Sequence, residues 1–189
     1  MKIKFLALLA VTAVTMAGCS LDQINFLPAA KIRAQISVLE FTGTYTAATT
    51  TTFIQTPLPS QTVTFQAASG SMGGFVTGFE VRYEDQNGAS VAGVTSTSQT
   101  LNQSVAAGRT CNPTATTGNS CTYQLGSLSG SSFVSFLTQQ VATSLVQAGI
   151  PSGVAPTWRA KIIFSGVDTN GNAFQWQEIR TIRCNCTFN

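Results

Sequence analysis

The chain has 189 residues, 43% hydrophobic and 9% charged, and its ten basic and seven acidic residues leave a net charge of +3. That length suits one medium domain or two small ones, and the balance carries neither a basic footprint for nucleic acid nor an acidic tail. The absence of histidine excludes the usual general base of serine and cysteine hydrolases and every imidazole-ligated zinc site.

Residues 1–18 read as a secretory signal peptide. Lys2 and Lys4 precede an apolar run from Phe5 to Met16 that is broken only by two threonines. The run is shorter than the about 20 residues of a membrane-spanning helix. Its end, Met16-Ala17-Gly18-Cys19, resembles the lipobox of bacterial lipoproteins, with Met where that family usually carries Leu. The resemblance implies cleavage before Cys19, acylation of that cysteine with several chains, palmitate among them, and attachment to the cell envelope. Each buried methylene contributes about 0.8 kcal/mol, so several chains anchor durably. Ser20 stands where an aspartate would signal inner-membrane retention, which implies the outer membrane of a Gram-negative cell, facing the periplasm or the surface. Loss of residues 1–18 removes Lys2 and Lys4, and eight basic residues against seven acidic ones leave +1. Residues 19–30, with Pro28, then form a lipidated tether.

Strand signals begin at Lys31. Ile32, Ala34, Ile36 and Val38 alternate with Lys31, Arg33, Gln35 and Ser37, the pattern of a half-buried strand. Thr42 to Thr56 is threonine-rich and leads into Pro57-Leu-Pro59, an edge strand or loop ending in a stiff turn. Val63, Phe65 and Ala67 alternate with Thr62, Thr64 and Gln66. After a Gly70–Gly74 turn, Phe75, Phe79, Val81 and Tyr83 point inward, with Glu80, Arg82 and Glu84 outward. Asn87-Gly88 is a hairpin signal, with return strands expected near Ser90–Ser96 and Thr100–Ala106. Arg109 to Ser120 reads as a polar loop.

Phe133, Phe136, Leu137, Val141, Leu145 and Ala148 recur at three- and four-residue steps, predicting an amphipathic helix over about 131–148 that packs against a sheet. Trp158, Ala160, Ile162 and Phe164 then alternate with Arg159, Lys161 and Ser165, and Asp168-Thr-Asn170-Gly171-Asn172 turns the chain into a last strand. Phe174 and Trp176 share a face that Glu178 and Arg180 would continue, so a bulge near Glu178 is expected to restore the phase.

About seven short strands with turn residues between them predict a mainly β chain, an antiparallel β-sandwich with one inserted helix, as a single domain over 31–189. The closing hairpin, Trp158 to Asn172 with its Gly166-Val-Asp168-Thr-Asn170-Gly171-Asn172 run, resembles the last hairpin of bacterial immunoglobulin-like and fibronectin type III-like modules. That resemblance implies an immunoglobulin-like fold and nothing about activity.

With Cys19 set aside, Cys111, Cys121, Cys184 and Cys186 form an even set in an exported chain, which reads as two disulfides. Three connectivities are open. Pairing Cys111 with Cys121 would leave Cys184 and Cys186 a tight ring of their own, so the crossed pairing is favoured. The four thiols lack a C-x-x-C pair, which argues against zinc or redox chemistry.

The remaining chemistry is sparse. Asp168, Asn170 and Asn172 alternate like the first ligands of a calcium loop, but the glycine and glutamate of that loop fall out of place, and a hairpin turn explains the same residues. No G-x-S-x-G or S-x-x-K occurs, and Glu80 with Glu84 read as a solvated strand face. Trp158 and Trp176 would stack on sugars if they faced outward with Tyr123 or Tyr83; alternation with charged neighbours assigns them to the core. The expectation is a non-enzymatic envelope lipoprotein without cofactor, a structural or protein-interaction module held to the membrane by its lipid. Its further partners would be other envelope proteins or surface glycans, not nucleic acid. The alternative is a carbohydrate- or small-ligand-binding lipoprotein and, behind it, a carboxylate-dependent hydrolase.

Overall fold

In the computed structural model, which describes residues 30–112 and 120–189, period-two alternation builds two facing sheets. β1 (Ile32–Ile36), β4 (Gln61–Ala67) and β9 (Ser132–Val134) form a three-stranded antiparallel sheet in the order β1-β4-β9. The second sheet has six strands in the order β3 (Thr51–Ile54), β2 (Leu39–Thr46), β11 (Ala173–Phe188), β10 (Trp158–Asp168), β5 (Gly74–Glu84) and β6 (Thr97–Val105). The described residues therefore form a β-sandwich with one α-helix, and the strand order follows the immunoglobulin-like plan.

Only Ser37 and Val38 separate β1 from β2, yet the two strands belong to different sheets. β1 pairs antiparallel with β4, and β2 pairs parallel with β11, from Ile182 opposite Leu39 to Phe188 opposite Tyr45. A third pair, β7 (Arg109–Asn112) with β8 (Ser120–Tyr123), makes a separate antiparallel hairpin. The expected loop at Arg109–Ser120 is thus partly strand. The stretch Ser90–Ser96 carries one bridge, Ser90 to Glu84, and no strand; the partner of β5 is β6.

The core lies between the sheets. Val63 and Phe65 of β4 face Ala160, Ile162 and Phe164 of β10 and Phe79 and Val81 of β5, all buried. Phe65 meets Phe164 edge-on at 5.3 Å between centroids, and Trp176 stacks on Phe164 at 4.9 Å and 23°. Offset and edge-on rings are the favoured aromatic geometries.

The helix α1 (Gln139–Gly149) is shorter than expected. Thr138 caps it, accepting the Val141 N–H at 3.3 Å, and Pro151 follows its end. Residues 131–138 are not helical: Ser132–Val134 pair with β4, and Phe136 and Leu137 are buried in the core. Their apolar spacing mimics a helical stripe because strand and loop deliver the same residues inward. α1 buries Val141, Ala142, Leu145 and Val146. It packs on β2 and β3 at Gly43, where an added Cβ would sit 2.7 Å from Val146 Cγ2.

β11 holds one phase throughout. Its register with β10 is unbroken from Ala173 to Ile182, so no bulge occurs at Glu178. Glu178 and Arg180 therefore share the inward side with Phe174 and Trp176 and pair at 3.6 Å. From Ala173 to Thr181 β11 has no strand on its far side, because β2 joins only at Ile182. Inward-pointing charges on an unpaired edge discourage further strand addition.

Candidate functional site

The expected lipidation site, Cys19, and the signal peptide of residues 1–18 lie outside the described residues. Among those described, no helix is long and apolar enough to cross a membrane.

The crossed disulfide pairing is corrected by the topology. Cys184 and Cys186 are bonded to each other, with Cα atoms 5.1 Å apart, inside the ordinary disulfide range. Alternation on β11 puts both side chains on one side of the strand, half-buried against the core beside Gly43. Cys111 stands directly opposite Cys121 across the β7–β8 pair, and Cys121 is also disulfide-bonded. The two cysteine pairs lie at opposite ends of the sandwich. β7–β8 sits by the turn that starts β11, and Cys184 is eleven residues further along, about 35 Å in an extended strand. Side-chain reach cannot span that distance.

Asp168, Asn170 and Asn172 come together as a turn rather than a cation site. Asp168 Oδ1 accepts the backbone N–H groups of Asn170 (2.8 Å) and Asn172 (2.9 Å), and Asn172 Nδ2 donates to Oδ2 at 3.1 Å. These donors, the Asn172 backbone N–H foremost, hold the carboxyl below the usual carboxylate range. Gly171, at φ 86°, takes the left-handed position the turn needs. Donors occupy the oxygens that a calcium ion would need.

Three other carboxylates, Glu80, Glu84 and Glu178, pair with cations along strands. Arg82 Nε donates to Glu80 Oε1 at 2.7 Å, which lowers the Glu80 pKa, and Lys161 lies 3.4 Å from Glu84. Among the described residues, no three His, Cys, Asp or Glu side chains gather around a common metal position. Trp158 is buried and Trp176 half-buried in the core, so neither presents a face for stacking a sugar. Tyr83 is also buried and donates to the Phe136 carbonyl at 3.0 Å; its burial raises the phenol pKa. Of the four aromatics, only Tyr123 is open to solvent.

One recess lies where the two sheets fail to close, between β6 and β9. It encloses about 500 Å³ and is lined by Leu58, Pro59, Gln61, Gln99, Phe133 and Leu137 among others. Glutamine side chains supply the missing ladder. Gln99 Nε2 donates to the Phe133 carbonyl and its Oε1 accepts the Ser135 N–H, both at 3.4 Å, while Ser132 Oγ bonds Gln103 Oε1 at 2.9 Å. Beneath them, buried Gln61 accepts the Leu137 N–H at 2.6 Å. Phe133 stands 75% exposed at the rim. A second concavity, of about 760 Å³, lies on the outer face of β5, β6 and β10 and is lined by Thr77, Phe79, Arg82, Ile163, Ser165 and Gln175 among others.

Sequence reasoning missed the glutamine-bridged edge and misassigned Phe133 to a helix. The available signal was Gln99 and Gln103, two even steps apart and so on one side of a strand.

No known family model matches the chain, and no curated protein matches it in sequence. Several solved structures resemble it distantly, two of which illustrate the likeness. One is a crystal structure named for the ApaA protein of Bordetella pertussis, at 8% identity and a TM-score of 0.35, covering 84% of this chain and 98% of the other. The second, an X-ray structure of another structural-genomics target, has 8% identity and a TM-score of 0.34 over 82% and 87% of the two chains. The functional reading rests on neither.

Proposed function

We propose that the protein is a cell-envelope lipoprotein, anchored through Cys19, whose sandwich is a structural or protein-interaction module without catalysis. The observation that carries the interaction part is the β6–β9 edge. There two strands face each other across side-chain bridges, and a large apolar residue, Phe133, is left exposed beside them. Open strand edges and exposed aromatics are where extended partner segments dock. The pairing of Glu80 and Glu84 with cations supports the absence of a convergent acid pair. The anchor part rests on the Met16–Cys19 run.

Two measurements test this. Cys19→Ala should move the protein from the membrane fraction to the soluble one; retention in the membrane fraction would overturn the anchor. A photo-crosslinker in place of Phe133 should trap an envelope protein in intact cells, whereas one in place of Ile179 should not. Equal labelling at both positions would overturn the interaction edge. The outer concavity, where Arg82 and Gln175 stand beside Phe79 and Ile163, favours a glycan-binding second reading, and glycan-array binding abolished by Arg82→Ala would select it instead.

A further inference from the structure

The point where the described chain enters the domain and two exposed apolar residues meet at one end of the sandwich. Lys31 N–H donates to Ser71 Oγ at 2.6 Å, Gly108 N–H donates to the Ser71 carbonyl at 2.9 Å, and Gln124 N–H donates to the Gly108 carbonyl at 3.0 Å. Three hydrogen bonds thus join the point where the chain enters the domain to the end of β8. Beside them Tyr123 is 65% and Leu125 60% exposed. Arg109 pairs with Tyr123 across the β7–β8 ladder, and Lys31 is exposed. Among the described residues, the one carboxylate at this end, Asp168, is turned into its own hairpin. Among the described residues the surface is therefore a small apolar spot flanked by cations with no free anion, the composition that suits a headgroup region.

Chain length restricts orientation further. Eleven residues, 20–30, separate Cys19 from Lys31, and fully extended they reach about 40 Å. The sixteen residues of β11 run roughly 50 Å toward the opposite end. That end carries α1 and Val154: an added Cβ at Gly149 would lie 2.6 Å from the Phe188 ring and 2.8 Å from the Val154 carbonyl. If that end rested on the bilayer, Lys31 would stand beyond the reach of the tether.

We propose that the end bearing Lys31, Arg109, Tyr123 and Leu125 lies on the lipid bilayer, with Tyr123 and Leu125 at headgroup depth and the two cations against lipid phosphates. The partner is a lipid surface. The proposal rests on the Cys19 anchor and adds an orientation to it.

The test uses the full-length acylated protein in vesicles of phosphatidylethanolamine and phosphatidylglycerol with brominated acyl chains. Tyr123→Trp and Val154→Trp each add a reporter to Trp158 and Trp176, whose emission in the unmodified protein is the baseline. The emission added by Tyr123→Trp should be quenched by the brominated lipid and shifted to the blue, and that added by Val154→Trp should be unchanged. Quenching of Val154→Trp, or of neither reporter, while the protein floats with the vesicles would overturn the orientation and leave the anchor standing. Failure of the acylated protein to float would overturn both.

Discussion

The carboxylates of Asp85 and Asp168 cap two turns of one design at opposite ends of the six-stranded sheet. Asp85 Oδ1 accepts the N–H groups of Asn87 and Ala89 at 2.8 and 2.9 Å, as Asp168 Oδ1 accepts those of Asn170 and Asn172. Both turns read D-x-N-G, and Gly88 and Gly171 share φ 86°. The repeated acid is thus a backbone device, satisfying amides that a tight turn leaves unpaired.

Acid should loosen the second of these turns. The Asp168 pKa is depressed, first by the Asn172 N–H, so its contribution is full above the ordinary aspartate value of about 3.9 and is lost as pH falls through the folded value. Asp168→Ala should lower Tm at pH 7, and the gap to the unmodified protein should narrow as pH is taken down to 2. A gap independent of pH in thermal melts would refute the assignment.

Arg159 should prove a clamp on the other turn. Its Nε and Nη2 donate to the Asp85 carbonyl at 3.3 and 3.2 Å, and Nη2 reaches the Gln86 carbonyl at 3.0 Å. Lysine cannot reproduce that fork. Arg159→Lys should cost about 1–2 kcal/mol in urea unfolding, with faster amide exchange at Asn87 and Gly88.

Gly43→Ala should dislodge α1. The new methyl would meet Val146 Cγ2 at 2.7 Å and Ile54 Cδ1 at 3.3 Å, both on buried side chains. Overpacking of this kind costs about 1–3 kcal/mol. Val146→Ala should restore part of that loss, and a double-mutant cycle with no coupling would refute the contact.

Phe164→Ala should be the most damaging of these substitutions. Its ring touches those of Phe65, Phe79, Phe136 and Trp176, and truncation of such a residue costs about 3–5 kcal/mol. Trp176 emission should shift to the red in the same variant.

Replacing Glu178 and Arg180 together by Val should leave the fold intact and make the protein self-associate. An edge strand stripped of inward charge accepts another strand. Light scattering that stays monomeric would show that the pair does not guard the edge.

Much of the fold is legible where one side of a strand is dry and the other wet. Ile32–Ile36, Thr62–Ala67 and Trp158–Phe164 alternate because each has one buried face, and the structure places those strands there. Legibility fails where residues are recruited by distant partners. Phe133, Phe136 and Leu137 keep a helical spacing, but β4 draws Phe133 into pairing and the core takes the other two. Glu178 and Arg180 look out of phase because a local pattern cannot reveal that half of β11 is an unpaired edge. The cysteines mislead for a similar reason: spacing ranks rings, whereas topology decides which thiols share an end. The glutamine-bridged edge was hidden because Gln99 and Gln103 read as ordinary solvent-facing polar residues until β9 is set opposite them.

The parallel pairing of β2 with β11 has a mechanical consequence. A pull applied from the N-terminal side of β2, as the proposed anchor would apply it, meets an opposing pull applied beyond Phe188 at the C-terminal end of β11. In a parallel pair those two tensions slide the strands lengthwise past one another, so the ladder bonds from Leu39 to Tyr45 resist together instead of peeling open singly. A fold pulled in this way would yield abruptly, at high force, rather than fray.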